Sequence, residues 1–181
     1  MEPLHRRWPV LLGIGLGSWF AQSACAGEVA YGLGYVGEYS DNIQRVPANP
    51  QDEWINSVIA GAAYRENGPA LDAHLLAQAE YRDYRNDTYN DGPLYYADAS
   101  LLWRITPQRL NWVFVDRYDQ VTRNITLPDT PDNRVNTNVL STGPDLFIRL
   151  GSVNTSVLGL RYGNASYSEG DLDNSRYGAS A

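Results

Sequence analysis

Apolar and polar positions alternate with period two along most of the chain, and most clearly from Leu71 to Trp103. In the first half, Leu71, Ala73, Leu75, Ala77, Ala79 and Tyr81 fall on one face of an extended segment. Asp72, His74, Leu76, Gln78, Glu80 and Arg82 fall on the other. In the second, Tyr95, Ala97, Ala99, Leu101 and Trp103 oppose Tyr96, Asp98, Ser100, Leu102 and Arg104. The alternation outlasts the ~5–6 residues of an ordinary strand, so two long antiparallel strands joined by a polar loop are expected. One face suits hydrocarbon, and the other places carboxylates and guanidinium groups where they need water or each other. That is the pattern of a transmembrane β-barrel strand pair.

The same pattern recurs on both sides. Gly27–Ser40 carries Val29, Tyr31, Leu33, Tyr35 and Tyr39 on one face, with Gly32, Gly34 and Glu38 opposite. Those glycines would admit tight curvature or a close neighbouring strand. A loop holding Pro47 and Pro50 follows, and alternation resumes over Trp54–Arg65. Glu66-Asn67-Gly68-Pro69 predicts a tight turn in which Asn-Gly favours positive φ. Beyond Trp103, Thr106-Pro107-Gln108 predicts another turn. Arg109–Val121 then sets Leu110, Trp112 and Phe114 against Asn111, Arg117 and Asp119. Thr122–Thr137 reads as a long loop. Asn138–Leu150 reads as a strand interrupted at Gly143-Pro144, Val153–Tyr167 as a strand after a Gly151-Ser152 turn, and an eighth strand starts near Ser175.

The links after the first, third, fifth and seventh of these strands are long and rich in Asp, Asn and Pro. Those after the second, fourth and sixth are expected to be two to four residues. Long links at one end and short ones at the other mark an up-and-down barrel of the outer-membrane type. The fold class expected is therefore all-β: an antiparallel transmembrane β-barrel meander of about 8 strands over 27–181. An outward-facing aromatic residue commonly closes such barrels as the signal for the barrel assembly machinery. The chain stops instead at Gly178-Ala179-Ser180-Ala181, so the expectation is the N-terminal portion of a larger barrel. Tyr39, Trp54, Tyr84, Tyr95, Trp103 and Trp112 stand near strand ends, where aromatic rings favour the membrane interface.

The first 26 residues read as a secretory signal peptide. Arg6 and Arg7 precede the apolar run Trp8–Phe20, and Ala24-Cys25-Ala26 supplies a cleavage site before Gly27. An uncleaved anchor fits less well, because the run falls short of the ~20 residues of a spanning helix. A lipoprotein reading of Cys25 meets Gln22 where an aliphatic residue is wanted. Cleavage would remove the only cysteine, and with it disulfide and thiolate chemistry. It would leave 20 acidic against 12 basic residues, all of them arginine, a formal charge of −8. Such a balance excludes nucleic acid as a partner, because phosphates require a positive footprint.

Three local matches resemble a bacterial family of outer-membrane β-barrels that accompanies exopolysaccharide gene clusters and the exosortase (PEP-CTERM) sorting systems. They are Glu38-Tyr39-Ser40-Asp41-Asn42 after the first strand, Tyr81-Arg82-Asp83-Tyr84, and the hairpin Trp103-Arg104-Ile105-Thr106-Pro107-Gln108-Arg109-Leu110-Asn111-Trp112 followed by Asp116-Arg117. The resemblance spans roughly 27–181 and the front part of the family's longer members. It implies a cell outer membrane location and company with polysaccharide or export components, and no chemistry.

Function is expected on the polar face, at Asp72, His74, Glu80, Arg82, Asp98, Arg104, Arg117 and Asp119. Paired guanidinium and carboxylate groups there could line a pore and contact sugars, or fill a narrow lumen with ion pairs and water. His74, the sole histidine after Gly27, shares that face with Ser100, which raises an outer-membrane hydrolase as an alternative. No distinctive serine motif accompanies it, so no catalytic residue is expected. Asp41-Asn42 and Asp171-Leu172-Asp173-Asn174 lack the spacing of a calcium loop, and no metal or cofactor is expected. The Asn-x-Ser/Thr matches at Asn86, Asn124, Asn154 and Asn164 follow from composition. The competing class is a secreted, soluble β-sandwich that binds glycan or protein; it would need a second sheet over Leu101, Trp103, Leu110, Trp112 and Phe114.

Overall fold

A computed structural model describes residues 12–13, 27–127, 130–168 and 173–181. The leader read at 1–26 lies outside the described residues apart from Leu12–Gly13, as do Pro128 and Asp171-Leu172. The described chain is one antiparallel meander. A two-residue strand, β1 (Leu12–Gly13), lies beside β2 (Glu28–Ser40). The order then runs through β3 (Glu53–Asn67), β4 (Leu71–Tyr84), β5 (Gly92–Thr106), β6 (Leu110–Thr122), β7 (Arg134–Arg149), β8 (Thr155–Tyr167) and β9 (Asn174–Ser180). Every strand pairs with its neighbours in sequence, so β2–β9 form an eight-stranded meander in one sheet. β2 and β9 do not pair with each other and the sheet is not closed. The only helical turn among the described residues is Pro131–Asn133.

Register fixes the two faces. Tyr39 pairs with Trp54, Val58 with Tyr81, Ala77 with Ala97, Leu101 with Phe114 and Trp103 with Trp112, so one face is apolar across the five strands β2–β6. Most of it is exposed, Leu33 at 73% and Trp103 at 54%. The opposite face is the more enclosed: Glu53, Ile55, Ser57, Tyr84, Val135 and Thr137 are buried there, near the long links. No second sheet of described residues covers either face; part of this enclosure comes from the 85–91 link, whose Asn86 and Thr88 bond Glu53 and whose Tyr89 packs on Tyr84. The soluble alternative's second sheet is likewise not present among the described residues.

Several boundaries differ from the sequence reading. β7 runs unbroken from Arg134 through Gly143-Pro144, and the preceding link is correspondingly shorter, 123–133. Proline lacks an N–H, and the β7–β8 ladder does lapse at these two residues. Arg161 fills the gap: its Nη1 donates to the carbonyl of Pro144 (3.1 Å) and to that of Leu160 (2.8 Å). The link after β7 spans 150–154, longer than the four residues expected, and is closed by Leu150 N donating to Asn154 O (2.9 Å). Neither Asn67 nor Gly68 takes positive φ. Pro69 holds the residue before it extended, and Gly68 N reaches the Leu71 carbonyl at 2.8 Å instead. Space above Gly32 is open, so no neighbouring strand approaches closely there.

Two irregularities shape the sheet. A bulge between Arg104 and Thr106 leaves Ile105 without a partner on β6, and Ile105 lies beside Trp103 and Trp112 on the apolar face before the turn at 107–109. At the opposite end, β5 and β6 separate. Their ladder starts at Ala97–Tyr118, leaving Gly92–Tyr96 and Asp119–Thr122 unpaired with each other, although β5 still pairs with β4 and β6 with β7. Pro93 brings no N–H to this seam, and the Gln120 side chain bridges it by accepting from Tyr95 N at 3.2 Å.

The close approach at Gly143 is testable. A Cβ there would lie 2.0 Å from the Leu160 carbonyl oxygen, a backbone atom that cannot swing aside. Gly143→Ala is expected to destabilise the sheet by about 1–3 kcal/mol and to speed amide exchange in β8 around Leu160. Exchange unchanged from the parent would show that β7 and β8 do not approach so closely.

Candidate functional site

The polar face carries a series of arginine–carboxylate pairs at different heights. Near the short links, the Arg104 guanidinium bonds Asp72 one strand away and donates through Nη1 to Gly68 O at 3.0 Å, tying β5 to the 68–70 turn. Arg117 and Asp98 are direct cross-strand partners, with Nε 3.2 Å from Oδ2. Glu80 accepts from Ser57 Oγ (2.8 Å) and Arg82 Nε (2.6 Å), both within reach because strand neighbours on one face repeat every two residues. A fourth pair was not anticipated. Arg161 Nη2 lies 2.8 Å from Asp145 on the neighbouring strand. Gly159 makes room for it, since a Cβ there would sit 2.9 Å from Asp145 Oδ1. The signal was the parity of β7, hidden by reading Gly143-Pro144 as a break.

Of the eight polar-face residues expected to matter, six thus form three ion pairs. His74 and Asp119 do not join them. His74 is exposed and stands in register between Arg65 and Ser100, over an open concavity of about 700 Å³ that Asp72, Leu102 and Val113 also line. It makes no hydrogen bond to Ser100, and no carboxylate orients its ring, so the register supplies proximity without the geometry of a nucleophile–base pair. Asp119 accepts from the N–H of Gln120 (2.8 Å). Among the described residues no grouping of His, Asp or Glu could hold a metal ion. Asn42, considered for calcium, spends its side chain on Val46, accepting from its N–H (3.1 Å) and donating to its carbonyl (2.7 Å).

The aromatic residues separate into two groups. Tyr39, Trp54, Tyr95, Trp103 and Trp112 lie on the apolar face, 41–54% exposed. Tyr84 parts from them. Its even position in β4 places it with Glu80 and Arg82, where it is only 2% exposed and packs edge-on against Tyr89 at 5.6 Å. An aromatic residue near a strand end marks a belt only if its parity is right.

Glu53, counted with the loop in the sequence reading, opens β3 and is fully buried. Its carboxylate accepts from the N–H groups of Trp54 (2.9 Å), Asn86 (2.8 Å) and Thr88 (3.2 Å), fastening the 85–91 link to the start of β3. Burial acts to raise its pKa, but the hydrogen bonds from Asn86, Thr88 and Trp54 outweigh it and hold the carboxyl below its ordinary 4.5. One group offends the pattern. Asp116 lies on the apolar face opposite Ala99 and Leu140, and its Oδ1 is buried without a hydrogen-bond partner.

No protein-family model, curated protein or solved structure shows significant similarity to this chain. Function must therefore be argued from the two faces themselves.

Because the folded Glu53 carboxyl titrates below its ordinary value, its stabilisation is complete at neutral pH. It fades as pH falls below about 4.5 and is gone beneath the folded pKa. Glu53→Gln should keep the shape but lose the charge, giving at pH 7 the reduced amide protection at Asn86 and Thr88, relative to the intrinsic exchange rate, that the parent shows only in acid. Equal protection factors in both proteins from pH 7 to pH 3 would remove Glu53 as the fastening.

Proposed function

We propose that the chain forms the wall of an outer-membrane β-barrel that reaches the membrane through the general secretion route. It serves without catalysis as a porin-like or structural component of exopolysaccharide export or cell-surface assembly. The observation that carries this reading is the apolar face, which no described layer covers and which aromatic residues border at both ends. On β3, Trp54 and Tyr64 are ten residues apart on that face, and on β5 Tyr95 and Trp103 are eight apart. At ~3.3 Å per residue these spans are about 33 and 26 Å along the strand. A tilt of ~40° reduces them to about 25 and 20 Å, close to the apolar band of an outer-membrane barrel. Val58, Ala60, Ala62, Ala97, Ala99 and Leu101 fill the interval.

The partners in this reading are outer-membrane lipid, the barrel assembly machinery and polysaccharide or export components. The strand ends that bound the long links 41–52, 85–91, 123–133 and 168–173 lie at one end of the sheet, which would face the cell surface. The ion-paired face would then line the lumen, since such groups need water. In the closed barrel β2 and β9 each gain a further strand, as an edge in lipid leaves backbone groups unsatisfied. The longer barrel implied by the family resemblance supplies such strands.

Two measurements test the membrane reading. Protein recovered from outer membranes is expected to migrate faster on a gel unheated than boiled. Recovery as a soluble periplasmic protein with no shift would favour the secreted glycan-binding sandwich. The neighbouring residues Leu101 and Leu102 separate the faces. Leu101→Arg should reduce stability in the bilayer by about 2–4 kcal/mol, whereas Leu102→Arg should be tolerated. Equal effects would mean that lipid does not meet the apolar face.

A further inference from the structure

On the polar face, one row of cross-strand partners near the short links runs from β2 to β6 through Glu28, Arg65, His74, Ser100 and Val115. The next row toward the links holds Asn67, Asp72, Leu102 and Val113. Glu28 apart, these residues line the open concavity of about 700 Å³ beside His74. That volume lies within the roughly 300–1,000 Å³ of small-molecule sites. Its chemistry divides along the rows. On β3 and β4 it presents donors: the Arg65 guanidinium, the His74 ring and the Asn67 amide. On β5 and β6 it presents Leu102, Val113 and Val115, three apolar side chains on the face where the ion pairs stand. Val115 remains 41% exposed although apolar. The donors are also uncommitted. Arg82, Arg104, Arg117 and Arg161 each hold a carboxylate, whereas Arg65 makes no ion pair with a described residue, Glu28 opposite it included. The side chains of Asn67, His74 and Ser100 make no hydrogen bond among the described residues. Asp72, the one carboxylate of the described lining, is taken by Arg104.

We infer that this hollow is a binding site for an amphiphilic carboxylate, its head group on the Arg65 guanidinium and the His74 ring and its apolar body laid past Ser100 onto Leu102, Val113 and Val115. A guanidinium takes a carboxylate through two parallel N–H donors, and the His74 ring adds a donor from the next strand. From Arg65 to Val115 is three strand spacings, about 14 Å, so an acyl chain of medium length reaches from the donors to the apolar side chains. A small inorganic anion would leave those three side chains wet, and a neutral lipid would gain nothing from Arg65. A carboxylate with an apolar body meets both halves of the lining. The inference uses the polar face alone and stands apart from the polysaccharide reading. In the proposed barrel the hollow lies at the periplasmic end of the lumen.

Full-length protein in non-ionic detergent would be titrated calorimetrically at neutral pH and low salt with octanoate, octanol and acetate, each against empty micelles. Octanoate is expected to bind at least tenfold more tightly than octanol or acetate. Arg65→Gln should weaken octanoate binding tenfold or more. Should that variant fail to fold, His74→Ala should weaken it threefold or more. Val113→Asn, in the apolar half, should also weaken octanoate, whereas Arg176→Gln, away on β9, should change it less than twofold. Equal affinity for octanol would overturn the carboxylate recognition, and equal affinity for acetate would overturn the part given to the apolar side chains. Octanoate affinity that survives both the head-group variant and Val113→Asn would overturn the assignment to this hollow. A protein that shows the heat-dependent gel shift and binds no octanoate loses this site and remains a barrel. One that binds octanoate as a soluble protein keeps the site and loses the barrel.

Discussion

Everything in this sheet depends on register. Side chains alternate between faces with a period of two, so a one-residue slip in any strand would move its apolar set to the polar side and its charges to the other. The meander holds its register across all seven contacts between β2 and β9, with a single shift at the Arg104–Thr106 bulge. That bulge sits at a turn, where the extra residue, Ile105, goes unpaired and the rest of the ladder is undisturbed. Cross-strand pairs on both faces reinforce the same alignment: alanine on alanine and tryptophan on tryptophan on one side, Arg117 on Asp98 on the other.

Register also explains which charges are tolerated. On the polar face each ion pair joins groups on the same or an adjacent strand, so no guanidinium must reach far to find its acid. Exposed pairs of this kind add little stability one by one, about 0–1 kcal/mol. Their effect is to keep a run of arginine and aspartate compatible with a crowded, curled surface. The pair that also bonds backbone does more. Arg161 holds Asp145 and replaces the ladder contacts that Pro144 cannot make, so a charged side chain carries structure that backbone would ordinarily supply.

The strands themselves were legible because alternation is a direct print of the pleat. The breaks in it were less so, for reasons particular to each residue. Gly143-Pro144 looks like a stop because proline removes a donor, yet Arg161, seventeen residues on, supplies the replacement that only pairing reveals. Asn67-Gly68 suggests a left-handed turn until Pro69 constrains the residue before it. Tyr84 has the composition of a belt residue and the parity of a lumen residue, and parity decides. Glu53 looks like loop because its neighbours are polar, whereas its three N–H donors come from the residue after it and from a link thirty residues away. The β5–β6 seam left no period-two signature; it follows from where two adjacent ladders end.

Asp116 shows how far the two faces differ as environments. On the polar face Asp72, Glu80, Asp98 and Asp145 each find an arginine on the same or an adjacent strand; on the apolar face, between Phe114 and Tyr118, the Oδ1 of Asp116 finds no partner. A buried acceptor without a donor costs about 1–3 kcal/mol, more for a charged group. Water at the polar face would soften any such fault, because it can enter wherever a guanidinium is missing. The apolar face offers no such remedy if its solvent is lipid. Most of the ion-paired charges therefore gather on the side where faults can be mended, and the middle of the other side is left mainly to alanine, leucine and aromatic rings, Asp116 excepted. The same division makes the β5–β6 seam unusual: there the wall parts, and Arg134 and Asn136, whose parity belongs to the apolar face, meet Arg82 and Tyr84 from the polar one.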